Sequence, residues 1–216
     1  HQNGAFYRVE VGSPAALLYD EGEYDGWDGL VSDCKQADGP RWFADEAGVL
    51  WSSVLEDSTH LFRICPETGR IRQLTTLPGA VLEFASDGDG GVVFTALRGQ
   101  HGPELYALSA GEEEQRLTDF NLRLGQEYAI APPEELWFEN GDGERVQGWV
   151  LRPAGYTEGE RYPAVLCIHG GPKMAYGPLL HHEHQYLAGQ GYGVLFCNPT
   201  GSAGRGDTFG DLRGRY

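Results

Sequence analysis

The chain has 216 residues, and its 16 lysines and arginines against 32 aspartates and glutamates give a formal net charge of −16. A charge this negative argues against a protein that neutralises nucleic-acid phosphates or docks on an anionic membrane. Hydrophobic residues make up 40% of the chain and 32 residues are glycine, so we expect a compact, strand-rich fold with many turns rather than disorder.

The apolar runs and the amino terminus of the chain indicate in which compartment the protein is expected. No run approaches the roughly 20 apolar residues that span a bilayer. The chain starts at His1 and a strand-like segment begins at Ala5, which predicts that the natural amino terminus lies upstream of His1. We expect a cytoplasmic protein.

The cysteines lack the C-x-x-C spacing of zinc and redox sites, which predicts reduced and mostly buried thiols. They are Cys34, Cys65, Cys167 and Cys197.

The first half contains an internal repeat. Four short segments recur in the same order at offsets of 41 to 44 residues. The matched pairs are 43–45 with 84–86, 48–51 with 91–94, 61–64 with 105–108, and 72–75 with 115–118. The pieces are β-branched or aromatic and are separated by turn sequences, which predicts a four-stranded antiparallel unit of the size of one β-propeller blade.

Residues 6–9 match the third strand of an earlier unit, with an insertion around 21–29. We therefore predict that residues 1–120 form two propeller blades and the end of a third. Because propellers close with about four to eight blades, the ring would continue upstream of His1 or form in a multimer.

A different pattern follows Asn121. Prolines at 132 and 133 mark a linker over 121–135. Segments 136–139 and 146–152 flank the turn at 140–143 and predict a hairpin. An apolar run at 164–168 predicts a strand covered on both faces, 179–190 a helix, and 193–197 a second buried strand. Strand, helix and strand predict a βαβ unit and a parallel sheet.

His169, Gly170, Gly171 and Pro172 directly follow the first of these buried strands. Glycines at such a turn let backbone N–H groups approach a ligand. In α/β-hydrolases a glycine-rich turn at this place donates one hydrogen bond of the oxyanion hole. The candidate site is therefore the backbone of Gly171 and Gly170, against the simpler interpretation of a plain strand-to-helix turn.

The order of these features resembles the prolyl oligopeptidase family of serine peptidases, especially its acylaminoacyl-peptidase and dipeptidyl-aminopeptidase-like branch. The matching pieces are Asp-Gly at 142–143, Gly-Trp-Val-Leu-Arg-Pro at 148–153, Tyr-Pro-Ala-Val at 162–165, His-Gly-Gly-Pro at 169–172 and Asn-Pro-Thr-Gly-Ser-Ala-Gly-Arg-Gly at 198–206. The resemblance implies propeller blades followed by the start of an α/β-hydrolase domain over 136–216, which hydrolyses peptide bonds of short peptides.

The chain departs from the family in two places. Thr200 stands where the family usually has arginine. An α/β-hydrolase also needs Ser, Asp or Glu, and His in that order, with Ser in a G-x-S-x-G elbow, and no such elbow occurs before Tyr216. Ser202 has no histidine after it, so we interpret it as a loop serine. We expect an internal fragment of a peptidase, inactive by itself.

Other candidates have simpler interpretations. His181, His182 and His184 lack the ligand set of a zinc site and are expected to be partly exposed on a helix, while His169 is expected to fix the turn through a hydrogen bond. The acidic run 112–114 is interpreted as a solvated turn rather than a site for a substrate amino terminus. The five tryptophans are interpreted as sheet packing; they are Trp27, Trp42, Trp51, Trp137 and Trp149.

No nucleotide fingerprint follows a strand, so no nucleotide cofactor is expected. No metal is expected either, because the cysteines and histidines lack the spacings of zinc sites. The oligomeric state is left open.

Two other functions compete with the peptidase. A carboxylesterase would use the same glycine-rich turn, although the upstream blades speak against it. A non-catalytic propeller binding module would account for the missing triad, but not for a hydrolase half that stops after its second buried strand.

Overall fold

The computed structural model describes residues 5–20, 22–24, 26, 29–34, 42–45, 48–109, 113–171 and 173–214. Trp27, Glu112, Pro172 and part of the expected insertion at 21–29 lie outside these residues, as does the side chain of Trp42. Within the described part of the chain, no helix is long and apolar enough to cross a membrane.

The first half is built from antiparallel sheets. Strands β1 (Phe6–Arg8) and β2 (Ala16–Tyr19) form a two-stranded sheet. The next four strands form a sheet in chain order: β3 (Trp42–Asp45), β4 (Gly48–Leu55), β5 (Ser58–Ile64) and β6 (Ile71–Gln73). Four more repeat that order: β7 (Ala80–Ser86), β8 (Val92–Leu97), β9 (Glu104–Leu108) and β10 (Gln115–Arg116). The predicted pair of four-stranded antiparallel units is confirmed.

The repeat extends to individual hydrogen bonds. The amide N–H of Leu61 donates to Thr75 Oγ1 at 2.9 Å, and that of Leu105 donates to Thr118 Oγ1, also at 2.9 Å. In each sheet a threonine after the fourth strand thus pairs with the third strand, beyond the end of the backbone ladder.

The two sheets share one core. Leu50 and Leu61 from the first sheet pack with Val81 and Phe94 from the second, all at most 1% exposed. A second cluster joins the first sheet to β1 and contains Trp51, which is fully buried. Burying a large apolar side chain contributes about 1.5–3 kcal/mol, so these clusters hold the sheets face to face.

The second half contains one mixed sheet. Its strands are β11 (Glu134–Glu139), β12 (Arg145–Leu151), β13 (Ala164–Cys167) and β14 (Gly193–Asn198), in the order β11-β12-β14-β13. The first two form the predicted hairpin, while β13 and β14 are parallel neighbours. In the same sheet β12 and β14 are antiparallel. Helix α2 (His182–Gly189) lies between β13 and β14 in the chain, and α1 (Leu124–Glu127) and α3 (Gly206–Gly210) are short.

Two local expectations are corrected. Helix α2 begins at His182 rather than 179, because His181 before it has an extended backbone. Leu179 packs into a core with Leu30 and Val54 instead of lying in the helix. Strand β13 is not covered on both faces. Leu166 is 59% and Ile168 is 76% exposed, whereas Cys167, which points to the other face, packs towards Phe196.

The two halves meet at the tip of the β4–β5 hairpin. The amide N–H of Glu56 donates to the carbonyl of Gly204 at 2.6 Å, and Gln147 Nε2 donates to Asp57 Oδ2 at 2.9 Å. A Cβ on Gly204 would lie 2.1 Å from the Glu56 carbonyl oxygen. This close approach requires glycine, and it brings the tip against the loop that follows β14.

Candidate functional site

The predicted glycine turn follows directly after β13. Gly170 and Gly171 are exposed. Gly171 has φ 127, and a Cβ there would lie 2.7 Å from the Lys173 backbone nitrogen. At Gly170 a Cβ would meet nothing within 4 Å. Glycine is therefore required at Gly171 by both conformation and space, but at Gly170 by neither.

The amide N–H groups of this turn are available to a ligand. Within the described residues, no acceptor contacts the amide of Gly170 or of Gly171. Both lie at the carboxyl end of β13, beside its parallel partner β14. In open α/β sheets ligands bind at the carboxyl ends of the strands, and free, fixed N–H donors stabilise a developing oxyanion.

His169 fixes the start of the turn, as expected. Its Nδ1 lies 2.9 Å from the Gly170 carbonyl oxygen, and its Nε2 lies 2.9 Å from Ser202 Oγ. The ring also packs edge-on against Tyr176, with centroids 5.3 Å apart.

Ser202, which the sequence predicts to be a loop serine, makes two side-chain contacts in the structure. It is 1% exposed, and its Oγ lies 2.7 Å from the carbonyl oxygen of Pro199 as well as beside His169. The triad order Ser, Asp or Glu, His points to histidines after the serine, whereas Ser202 contacts His169, 33 residues before it. The available signal was positional: both residues follow adjacent strands of the predicted βαβ unit.

The loop after β14 is held by polar contacts. Asn198 accepts a hydrogen bond from the Tyr176 amide at 2.7 Å and donates to the Tyr176 carbonyl at 2.9 Å. Thr200 donates to Glu144 and accepts from Asn140. Threonine thus anchors the loop at the position where the resembled family usually has arginine.

The histidine cluster is more buried than expected. His181 is 4% and His184 is 5% exposed, while His182 is exposed. Their rings lie 4.7 Å apart and pack against Tyr176 and Phe196. Burial, with a smaller effect from His184, lowers the pKa of His181 to about 4, and burial also lowers the pKa of His184. Both are core side chains in their neutral form.

The interpretation of 112–114 as a solvated turn is wrong for Glu114. Its side chain is 3% exposed and pairs with Arg98 at 2.9 Å. The same carboxylate accepts the amide N–H groups of Thr76 and Leu77 at 2.8 and 3.0 Å. Glu113 is exposed. Glu114 therefore ties the second sheet to the end of the first and is not available for a substrate amine.

Other expectations are also corrected. Trp51 and Trp149 are buried, but Trp137 is 43% exposed and lies beneath the Arg145 guanidinium at 4.7 Å. All four cysteines are free and only partly buried. Burial raises the pKa of the Cys167 and Cys197 thiols, which keeps them as thiols. The described residues contain no group of three or more potential metal ligands.

The chain has relatives among named peptidases. It is 35% identical over 192 residues to the uncharacterized peptidase YuxL of Bacillus subtilis, which covers 88% of this chain and 29% of that protein. It is 26% identical over 184 residues to dipeptidyl-peptidase 5 of Porphyromonas gingivalis, covering 82% of this chain and 26% of the relative. No family model matches the sequence.

Solved structures share the fold. An acylaminoacyl peptidase bound to a chloromethyl ketone matches 98% of this chain with a TM-score of 0.78 at 24% identity, and the acylaminoacyl peptidase of Pyrococcus horikoshii matches with 0.76 at 23%. A puromycin hydrolase matches 94% with 0.62 at 21%. The chain spans less than a third of the length of each of these relatives.

Proposed function

This chain is a relative of peptidases of the prolyl oligopeptidase family, matched over most of its own length, and on that premise we propose that it forms part of a serine-type peptidase. The proposed reaction is hydrolysis of peptide bonds in short peptides. The names of the relatives, dipeptidyl-peptidase and acylaminoacyl peptidase, support a peptide substrate.

The observation that carries the proposal is the pair of amide groups at Gly170 and Gly171, which no acceptor contacts in the part of the chain that the structure describes. They lie at the carboxyl end of a parallel strand and are open to solvent. In a serine peptidase the Gly171 amide of this pair would donate one hydrogen bond to the oxyanion of the tetrahedral intermediate, and the residue after the nucleophile would donate the other. One such donor is worth about 2.7–4 kcal/mol of transition-state stabilisation.

We assign the catalytic serine, aspartate and histidine of the peptidase to residues outside 1–216. Ser202 is unsuited to nucleophilic attack, because it is 1% exposed and its hydroxyl contacts the Pro199 carbonyl. Two exposed apolar side chains, Leu166 in β13 and Ile168 directly after it, favour cover by further elements of a hydrolase domain. An exposed apolar sheet surface of this kind is usually an interaction site.

The arrangement we propose is propeller blades over 1–120, a linker over 121–135 and the first part of an α/β-hydrolase domain over 136–216. The repeated four-stranded sheets with their matched threonine contacts support the blades. The sheet in which β13 and β14 are parallel supports the hydrolase part.

The test uses the protein expressed from its intact gene alongside residues 1–216. We expect the former to react with a fluorophosphonate probe and to cleave dipeptidyl or acyl-aminoacyl p-nitroanilides, and residues 1–216 to do neither. Failure of the intact gene product to cleave any peptide amide would refute the proposal. Cleavage of an aryl ester without any peptide amide would instead indicate a carboxylesterase.

A further inference from the structure

A buried hydroxyl connects the turn after β13 to the loop after β14. Ser202 lies in the loop, His169 opens the turn, and Ser202 Oγ is 2.9 Å from His169 Nε2. The neighbouring residue repeats the connection through the backbone, since the Ala203 amide donates to the Met174 carbonyl at 2.9 Å.

The loop after β14, which carries Ser202, is itself held in place by hydrogen bonds. Asn198 makes two hydrogen bonds with the backbone of Tyr176, and the Tyr176 ring lies against the His169 ring. Ser202 adds a contact with Pro199 at 2.7 Å. His169 is therefore held on one side by an aromatic ring and at Nε2 by a hydroxyl that belongs to a fixed loop.

The hydroxyl suits this position because it is both donor and acceptor. With the imidazole proton on Nδ1, His169 donates to the Gly170 carbonyl, and Ser202 Oγ donates to the bare Nε2. With the proton on Nε2, His169 donates to Ser202 Oγ, and Ser202 donates to the Pro199 carbonyl. Alanine at 202 would support neither tautomer.

We propose that Ser202 is a positioning residue that acts through His169 to hold the Gly170–Gly171 amide groups in place. The catalytic consequence of this inference rests on the proposed function, whereas the contact between Ser202 and His169 does not. Ser202 touches no substrate and transfers no proton to one. It affects catalysis by orienting the backbone N–H groups of Gly170 and Gly171, the two residues that follow His169.

The first test is NMR spectroscopy of residues 1–216, which requires no peptidase activity. We expect Ser202→Ala to shift the ring nitrogen signals of His169 and the amide signals of Gly170 and Gly171. Ser202→Thr, which keeps the hydroxyl, should restore them in part. Ser109→Ala, at an exposed serine, is the matched control and should leave these signals in place. Unchanged Gly170 and Gly171 signals in a folded Ser202→Ala protein would overturn the proposal.

The second test is steady-state kinetics of the protein from the intact gene. We expect Ser202→Ala to lower kcat about tenfold with KM within about twofold of wild type, less than the 10²–10³-fold loss on removal of an oxyanion donor. His169→Gln, whose amide can also reach Ser202, guards against a Ser202→Ala protein that does not fold and should lose less activity than His169→Ala.

Three kinetic outcomes are decisive. An unchanged kcat in Ser202→Ala would overturn the positioning role, and so would loss of all activity in both Ser202→Ala and Ser202→Thr, which would make the serine a nucleophile. A wild-type protein without peptidase activity would refute the proposed function instead. The NMR result would then still decide whether Ser202 fastens the turn.

Discussion

At the residue scale, single backbone positions decide what the candidate site can do. Gly171 combines φ 127 with a Cβ direction that points at the Lys173 amide. Gly155 also has a positive φ, 74, but a Cβ there would meet nothing within 4 Å. The two glycines separate the steric requirement of the turn from the general cost of a positive φ.

We therefore expect Gly171→Ala to displace the turn and to lower kcat of the intact gene product about 10²-fold, as loss of an oxyanion donor does. Gly155→Ala should alter stability by about 1–2 kcal/mol at most and leave kcat near wild type. The check is kcat on a p-nitroanilide together with thermal unfolding of both variants. Equal kcat values for the two would contradict the assignment of Gly171.

A second residue-scale feature is the buried pair of Arg98 and Glu114, whose side chains are 9% and 3% exposed. Glu114→Gln keeps an acceptor for the Thr76 and Leu77 amides but leaves the Arg98 charge without its carboxylate. Because an unpaired buried charge is costly, we expect a loss of about 3 kcal/mol in the free energy of unfolding, measured in urea.

The control for that loss is an exposed pair. Arg123 and Glu127 are 78% and 50% exposed at i,i+4 spacing, so Glu127→Gln should cost under about 0.5 kcal/mol. Adding Arg98→Met to Glu114→Gln should recover part of the stability. A Glu114→Gln loss no larger than that of Glu127→Gln would show that the pair is not buried in solution.

At the element scale, the β4–β5 hairpin connects the two halves through its tip. The Glu56 backbone adopts φ 55 and packs directly over Gly204, and the Asp57 carbonyl lies 2.2 Å from the Cβ position of Gly177. Gly204 thus lets the loop after β14 approach the hairpin backbone, and Gly177 does the same for the connection between β13 and β14. The apolar cluster of Leu30, Val54 and Leu179 lies beside this contact. The hairpin tip and this cluster therefore both stabilise the junction between the two halves.

Gly204→Ala should separate the tip from the loop, because the added methyl would lie 2.1 Å from a carbonyl oxygen. Gly159→Ala is the matched control, since its φ of 86 is close to the 89 of Gly204 and the space around it is open. We expect Gly204→Ala to be less stable than Gly159→Ala by about 1–3 kcal/mol. Hydrogen exchange should quicken at Glu56 in the first variant only; equal exchange in both would contradict a tight contact.

At the scale of the whole molecule, buried neutral histidines and a buried carboxylate set the response to acid. Burial lowers the pKa of His60 to about 4, helped by Arg98, and the pKa values of His181 and His184 are lowered as well. Burial alone would raise the pKa of Glu104, but hydrogen bonds from Thr118, Asn121 and Phe120 hold it below its usual value.

Each of these groups has a lower pKa in the folded than in the unfolded chain, so the unfolded chain binds more protons in acid. Stability should be full above about pH 6.5, the pKa of an unperturbed histidine, and should fall as the pH drops towards 4. Urea unfolding at pH 7.5, 6 and 5 measures this. His181→Gln should flatten the slope, whereas His182→Gln, at an exposed position, should not. Stability that is independent of pH from 7.5 to 5 would contradict the burial of these histidines.

The sequence by itself determined the local elements. The recurrence of short apolar segments predicted both four-stranded sheets, and the runs around 164–168 and 193–197 predicted the parallel pair β13 and β14. Strand periodicity and turn residues are properties of neighbouring positions, so they can be read without knowing what packs where. The same holds for Gly171, whose motif directly follows a strand.

Only the tertiary structure decided which side chains meet across distant segments. Ser202 pairs with His169, Glu114 with Arg98, and His181 and His184 enter the core beside Tyr176. Ser202 and Glu114 have ordinary loop contexts in the sequence, and their burial depends on the packing of one element against another. A contact of this kind is fixed by the three-dimensional path of the backbone, which leaves no periodic trace along the chain.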